Sequence, residues 1–582
     1  MVRLKKIYPT EKYGKYANLQ ELVSASAMRF GDKPLYKYFD ADGQIREMSY
    51  CTFGNETKAI GTALAAYGLL GKRIAILSES RPEWMVGYVA TIGGGGVTIP
   101  LDRELQTEQI RNFLNLSEAN AIFFSAPYEK ALLEMAPELP GVRAFIAFDE
   151  PAEPWPAELA DRLFVYRRMA EDGREMYENG NDAYTSAHVD VYAMSAIIFT
   201  SGTTGTSKGV MLSHDNLLEC VRASANMVNF SSRDVLLSVL PLHHTYECTL
   251  DFLTILYSGA CISYADSLRY VYKNISEYHP SILVAVPLLL EKIVNKLEDS
   301  IRGGLPEYYK TRTAALSLTE TVRALPAPLR LLVRRKVKNA FGGRLSKIIV
   351  GAAPIAPDTV DCLCALGIRT MQGYGLTECA PLVAGNNDFF LKSDAVGLPI
   401  PGVEIRIDDP DEEGVGEITV RGPNVMLGYY NDAAATDAVL RGGWFYTGDL
   451  GRFDDEGWLY ITGRKKNVII TKNGKNIYPE ELEYRLNANG VIDESLVMGA
   501  LEGADVTVRA KIFPDLDAIR DSLHGSVPTK EQIAEAVKRA VAEINEKLPS
   551  YKRIRSYKIR ESAFEKTTTQ KIKRFGDNMK DE

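Results

Sequence analysis

Ten residues of small bulk, Thr200 to Gly209, are glycines, hydroxyl side chains and one lysine: Thr200, Ser201, Gly202, Thr203, Thr204, Gly205, Thr206, Ser207, Lys208, Gly209. A loop of this kind turns backbone N–H groups, O–H groups and a cation inward together, and those are the donors a polyphosphate needs. Glycine serves where the backbone must come close to the ligand. A P-loop would place Ser or Thr directly after Gly-Lys so that its hydroxyl holds magnesium. Here two residues separate Gly205 from Lys208, and Gly209 follows the lysine, so the metal ligand must come from elsewhere. A flexible linker fits less well, because apolar strand and helix patterns bracket the loop.

Other stretches carry chemistry of matching kinds. In QGYGLTE, Tyr374 offers a flat face for stacking a base, and Gly373 and Gly375 permit close approach. Thr377 can donate to a phosphate, and Glu378 is a hard oxygen ligand suited to Mg²⁺. The turn GAAP, with Gly351 and Ala352, precedes it, and YTGDLG, with Asp449 in a tight turn, follows. LPLHHTYE brings His244 and Tyr246 together after an apolar run, and Lys571 lies in the basic tail KTTTQKIKRF.

The elements that must position these residues follow from period. Ala196 to Phe199 reads as a short buried strand, Val210 to Leu212 as the next, and Ser213 or His214 as the cap of a helix bearing Leu217, Leu218 and Val221. Over residues 1–185, apolar strands at 72–80, 96–102, 121–127 and 144–150 alternate with helical patterns, which predicts an α/β unit with a largely parallel sheet. A second α/β unit over 186–394 has strands at 235–241, 260–266, 281–287 and 347–354. From about 395 to 465 the period drops to two, in EIRID, GEITVRG, WFYTGDLGRF and WLYITGR, which predicts a small antiparallel β unit. A charged break at 465–467 then precedes a small unit, 466–582, with its own strand–helix alternation and a helix over 530–548.

Bulk properties bound the function. A chain of 582 residues exceeds one hydrophobic core and implies several domains. A net charge of −8 argues against a nucleic-acid-binding surface for the whole chain. Seven scattered cysteines point to reduced thiols and a cytoplasmic setting; Cys362 and Cys364 have no neighbouring pair with which to hold zinc. The basic N-terminus lacks the apolar core of a secretory signal, and no apolar run has the length of a membrane span. Basic residues from Lys310 to Lys338, at helical spacing, suit a solvated face, CoA phosphates or anionic lipid, so peripheral membrane contact stays open.

The loop at 200–209, the GAAP and GYGLTE turns, TGD, ITGRKKN and the lysine-bearing tail stand in the order found in the adenylate-forming superfamily. The chain resembles its long-chain fatty acid–CoA ligase branch over most of its length, with Glu247 and NGKNIYPEELE pointing to that branch. The resemblance implies a large N-terminal part, 1–465, of two α/β subdomains plus a small β-barrel subdomain, and a small mobile α+β C-terminal domain, 466–582, hinged at Lys466. It further implies that Gly351, Ala352 and Tyr374 frame adenine, Thr377 meets the α-phosphate, and Glu378 binds magnesium. Asp449 and Arg464 are then expected at the ribose, with His244 beside the acyl site and Tyr246 lining or gating it. Lys571 would reach the carboxylate and α-phosphate, although Gln570 and Glu565 replace the usual glycine and proline of the tail element.

The expected activity is therefore conversion of a fatty acid and ATP to acyl-AMP and pyrophosphate, then transfer to CoA, with Mg²⁺ as cofactor. An acyl-AMP or acyl-carrier-protein ligase would share every ATP motif and differ in the acceptor. A peptide-synthetase module is not expected, as no carrier domain follows residue 582. Retention of Lys208, Glu378, Asp449, Arg464 and Lys571 argues against a non-catalytic nucleotide- or lipid-binding protein. Acyl chain length and oligomeric state are not readable from these residues.

Overall fold

The computed structural model describes residues 14–580 except 41, 153, 201–206, 266–269, 471–474, 503–504, 524, 567–571 and 575. Short strands such as Val235–Ser238, Ile282–Ala285 and Lys347–Val350 are nearly continuous runs of Val, Ile and Leu. Such runs belong to strands covered on both faces, and these strands are paired in parallel. They form a nine-stranded sheet ordered Leu398–Pro399, Leu382–Gly385, Arg369–Gly375, Lys347–Val350, Ile282–Ala285, Val235–Ser238, Cys261–Tyr264, Pro34–Phe39, Ile45–Ser49.

An eight-stranded sheet runs Gly428–Tyr429, Lys208–Ser213, Met194–Thr200, Val97–Pro100, Arg73–Leu77, Ala121–Phe124, Ala144–Ala147, Leu163–Val165. The sheets do not follow the expected division at residue 185. Pro34–Phe39 and Ile45–Ser49 join the nine-stranded sheet of the later unit, and the hairpin Met194–Thr200/Lys208–Ser213 joins the eight-stranded sheet of the earlier one. Pairing partners are chosen by exposed sheet edges, which position along the chain does not reveal.

The helices Tyr50–Ala66, Pro82–Gly93 and His214–Met227 share one core with the inner faces of both sheets. Pro82–Gly93 is buried at every residue but Glu83, as a helix packed on all sides requires. A second core covers the outer face of the nine-stranded sheet, and a third that of the eight-stranded sheet. Five alternating layers of helix and sheet result. The antiparallel unit of Glu404–Asp408, Gly416–Arg421, Trp444–Phe453, Leu440–Arg441 and Leu459–Arg464 stands beside them. A three-stranded sheet, Ile492–Glu502, Asp505–Pro514 and Ile554–Ile559, packs with the helices Pro479–Asn487 and Lys530–Glu546 around a core of its own.

His214, the first residue of its helix, joins these layers. Ser213 caps that helix by accepting the Asn216 N–H at Oγ, and its own N–H donates in return to Asn216 Oδ1. The buried His214 ring accepts the Leu19 N–H at Nδ1 (3.3 Å) and faces the Ile92 carbonyl with Nε2 (3.0 Å). The partners therefore select the neutral Nε2–H tautomer. Burial lowers its pKa from 6.5 to about 4, against a smaller upward pull from the Ile92 carbonyl. The unfolded chain thus takes up a proton over this window that the folded chain refuses. Stability is complete above pH 6.5 and falls as pH drops toward 4, by about 3 kcal/mol from this group alone. The difference in thermal unfolding midpoint between wild type and His214→Gln, followed across that window, is expected to shrink as pH falls; a constant difference would show that His214 does not set the acid limit.

Candidate active site

The hairpin Met194–Thr200/Lys208–Ser213 is closed by the pair Thr200 and Lys208, and the Thr200 hydroxyl points at the Lys208 carbonyl (3.5 Å). Ser201, Gly202, Thr203, Thr204 and Gly205 lie outside the described residues. Lys208 places its ammonium 4.6 Å from the centre of the Tyr429 ring, within cation–π range. Tyr429 arrives there because Gly428–Tyr429 pairs antiparallel with Met211 and Val210 of the hairpin. Its hydroxyl donates to Glu378 Oε1 at 2.9 Å.

Glu378 sits in the short turn Thr377–Cys379 that follows the strand Arg369–Gly375, and its own carbonyl accepts the Met426 N–H (2.8 Å). Its Oε2 has no partner among the described residues, which suits a hard divalent cation. Gly375 is required by packing: a Cβ there would lie 1.9 Å from the Pro381 carbonyl oxygen. Gly373 lies two residues earlier in the same strand.

Tyr374 links this strand to the antiparallel unit, its hydroxyl donating to Asp449 Oδ2 at 2.7 Å. Asp449 and Arg464 lie opposite each other on paired strands, with Arg464 Nε 2.6 Å from Asp449 Oδ1. Asp449 is itself held by its N–H to Thr447 Oγ1 (3.0 Å). Burial, and then the Asp449 carboxylate, hold the Tyr374 phenol well above the usual range, so it stays a donor.

The strand end Lys347–Val350 pairs alongside Arg369–Gly375, and the turn after it carries Gly351 and Ala352, the latter with φ 69°. The Tyr246 ring lies against Gly351, 3.2 Å from where a Cβ would stand. Tyr246 opens a π-helix, Tyr246–Leu253. Just before it, the Thr245 hydroxyl donates to Thr377 Oγ1 (3.3 Å), bringing the histidine segment against the GYGLTE turn. The rings of His243 and His244 lie 4.3 Å apart, and His243 Nε2 is 3.5 Å from Asp102 Oδ2. Burial would raise the Asp102 carboxyl, but the contact with His243 outweighs it and holds the pKa well below the carboxylate range.

Lys466 lies in the turn Lys465–Asn467 with its neighbours tied in opposite directions. Lys465 pairs with Glu417 of the antiparallel unit (2.7 Å), and Asn467 donates to Glu480 on the helix Pro479–Asn487 (2.6 Å). Burial, Arg464 and Arg574 together lower the Lys466 pKa. Lys571 lies outside the described residues. Beyond it, Ile572 bridges to Lys566, and Arg574 forks onto Glu483 (2.5 Å to each oxygen) and the Val497 carbonyl (3.0 Å).

The structure thus gathers Thr200, Lys208, Glu378, Thr377, Tyr374, Asp449, Arg464, Gly351 and Tyr246 where the ends of the two large sheets meet the antiparallel unit. Sequence reasoning missed Tyr429, Thr245, Thr447 and Glu417. Tyr429 follows the glycine of an ordinary LGYY stretch, and only its pairing with the hairpin reveals it.

A model of the AMP-binding enzyme family matches residues 23–430, and one of the AMP-binding enzyme C-terminal domain matches residues 466–575. The chain is similar to long chain acyl-CoA synthetase 7, peroxisomal, of Arabidopsis thaliana, at 30% identity over 82% of this chain and 70% of that one. It is similar to long-chain-fatty-acid–CoA ligase FadD15 of Mycobacterium bovis, at 28% identity over 96% of this chain and 95% of that one. In fold it matches the ATP-bound MatB of Rhodopseudomonas palustris, with a TM-score of 0.71 and 24% identity over 96% of this chain and 97% of that one. With the first family model spanning well over half of its length, the chain belongs to the AMP-binding enzymes.

Proposed function

We propose that the chain joins a fatty acid to CoA through an acyl-AMP intermediate, at the expense of ATP. The observation that carries this reading is the Lys208–Tyr429–Glu378 line beside the Tyr374–Asp449–Arg464 cluster: cation and carboxylate at one end, a ribose-sized set of polar groups at the other. The names of the relatives add the fatty-acid substrate and the CoA acceptor.

In the first half-reaction a carboxylate oxygen attacks the α-phosphorus, forming the acyl–phosphate bond and breaking the bond to the β-phosphate, so pyrophosphate leaves. In the second, the CoA thiolate attacks the acyl carbon and AMP leaves with the bonding pair. No covalent enzyme intermediate is involved, so the protein acts by position and charge. Lys208 and the loop at 200–209 hold the β- and γ-phosphates. Glu378 holds Mg²⁺, which supplies charge neutralisation at the phosphates. Thr377 and Lys571 meet the α-phosphate, Lys571 also the carboxylate. Asp449 and Arg464 take the ribose, and Gly351, Ala352, Gly373, Tyr374 and Gly375 frame the adenine. His244 and Tyr246 border the acyl group.

The working division is 1–465 and 466–582, with Lys466 as pivot. The opposite anchoring of Lys465 and Asn467 supports it, because a rotation between them breaks neither ion pair nor hydrogen bond on its own side. Turning about Lys466 would withdraw Lys571 and open the thioester step. All seven cysteines are free thiols, in keeping with a reducing cytoplasm, and contact with the membrane is peripheral.

ATP–pyrophosphate exchange with fatty acids of rising length tests the reading. Wild type is expected to show exchange peaking at one chain length, and Lys571→Ala to lose about a hundredfold or more. Absence of exchange with every fatty acid, despite ATP binding, would remove the assignment. Tyr429→Phe leaves Glu378 Oε1 without its donor and is expected to raise the KM for MgATP about tenfold. An unchanged KM would mean that Tyr429 positions nothing at the phosphates.

A further inference from the structure

The helix Ala327–Ala340 (APLRLLVRRKVKNA) turns its inner side to the core through the buried Val333 and Val337, with Leu329 partly buried beside them. Leu331 and Leu332, by contrast, are 68% and 62% exposed. At 100° per residue both leucines fall on the side opposite the two valines, with Arg335 between them and Lys338 and Lys336 at the rims. Core packing does not account for two neighbouring leucines there. Arg334 ties the helix down through the Ala365 carbonyl (2.9 Å), and Lys336 reaches toward the Ser300 carbonyl (3.4 Å). Among the described residues, Arg330, Arg335 and Lys338 form no ion pair.

Charge is concentrated in the same place. Between Lys310 and Arg344 the sequence carries nine Lys or Arg against one acidic residue, Glu320, in a chain whose net charge is −8. The helix Ala327–Ala340, with five Lys or Arg and no acidic residue, is thus a cationic patch on an anionic protein, with two exposed leucines on its outer side.

We propose that this face docks on an anionic phospholipid surface. Leu331 and Leu332 enter the acyl boundary, while Arg335, Lys336 and Lys338 extend their stems along it and meet the phosphates. The paired exposed leucines suit a bilayer better than free CoA, whose phosphates could use the cations but which leaves two leucines uncovered. No helix among the described residues is long and apolar enough to cross a membrane, so the contact is superficial. The inference rests on the peripheral contact named above and assigns its surface.

The test is flotation of the full chain with vesicles of equimolar phosphatidylglycerol and phosphatidylcholine, against pure phosphatidylcholine. Two double variants at exposed positions accompany it, Leu331→Gln/Leu332→Gln and Arg335→Glu/Lys338→Glu, each checked for an unchanged thermal midpoint. Wild type is expected to favour the anionic vesicles, less so as salt is added, and each variant to bind them about tenfold more weakly. Exchange activity on a dispersed fatty acid stays at the wild-type level in both variants. Wild type that floats with neither vesicle, or equally with both, overturns the peripheral contact itself and leaves the catalytic reading intact. Wild-type flotation of both variants overturns this face alone. A raised KM for CoA in Arg335→Glu/Lys338→Glu without loss of flotation would reassign the face to CoA.

Discussion

One hydroxyl, that of Tyr429, connects parts of the chain that no local rule brings together. It bonds Glu378, which hangs from the end of the nine-stranded sheet, while its backbone pairs with the hairpin at the edge of the eight-stranded sheet. Its ring lies beneath the Lys208 ammonium. The separation between the Lys208 ammonium and the Glu378 carboxylate is therefore set by a rigid aromatic side chain rather than by two flexible stems. Such a spacer keeps opposite charges apart that would otherwise collapse onto each other and close the space meant for a ligand.

The second fixed point is Asp449. It accepts from the Tyr374 hydroxyl and pairs with Arg464 while buried in a strand whose Gly448 N–H donates to Glu417. A buried carboxylate needs such partners, and each comes from a different structural unit. Glu417 in turn holds Lys465, so the network around Asp449 continues to the residue before Lys466.

Burial also explains the histidines. His214 is locked neutral inside the core by a backbone donor and a backbone acceptor, so it serves the fold. His243 faces Asp102 across 3.5 Å and lies tilted against His244, so the residue beside the expected acyl site is oriented from a loop of the eight-stranded sheet. Two histidines of the same type thus part company by what surrounds them, which their sequence context alone does not disclose.

The sequence by itself determined the strands, because a strand buried on both faces must be a continuous apolar run, as VLLS, ILVA and KIIV are. It determined the β unit through period-two alternation, and the candidate residues through glycine, hydroxyl and charge in fixed order. Only the tertiary structure decided which sheet each strand joins: Pro34–Phe39 lies beside Cys261–Tyr264, more than two hundred residues away. It also decided that Tyr429, Thr245 and Glu417 complete the site, since hydrogen-bond partners from distant segments leave no periodic trace. The same holds for Leu331 and Leu332: their spacing is compatible with a core helix, and only the packing of Val333 and Val337 turns them outward. Periodicity reports which faces are apolar, whereas the choice of partner for each face is a non-local free-energy balance that the folded chain alone resolves.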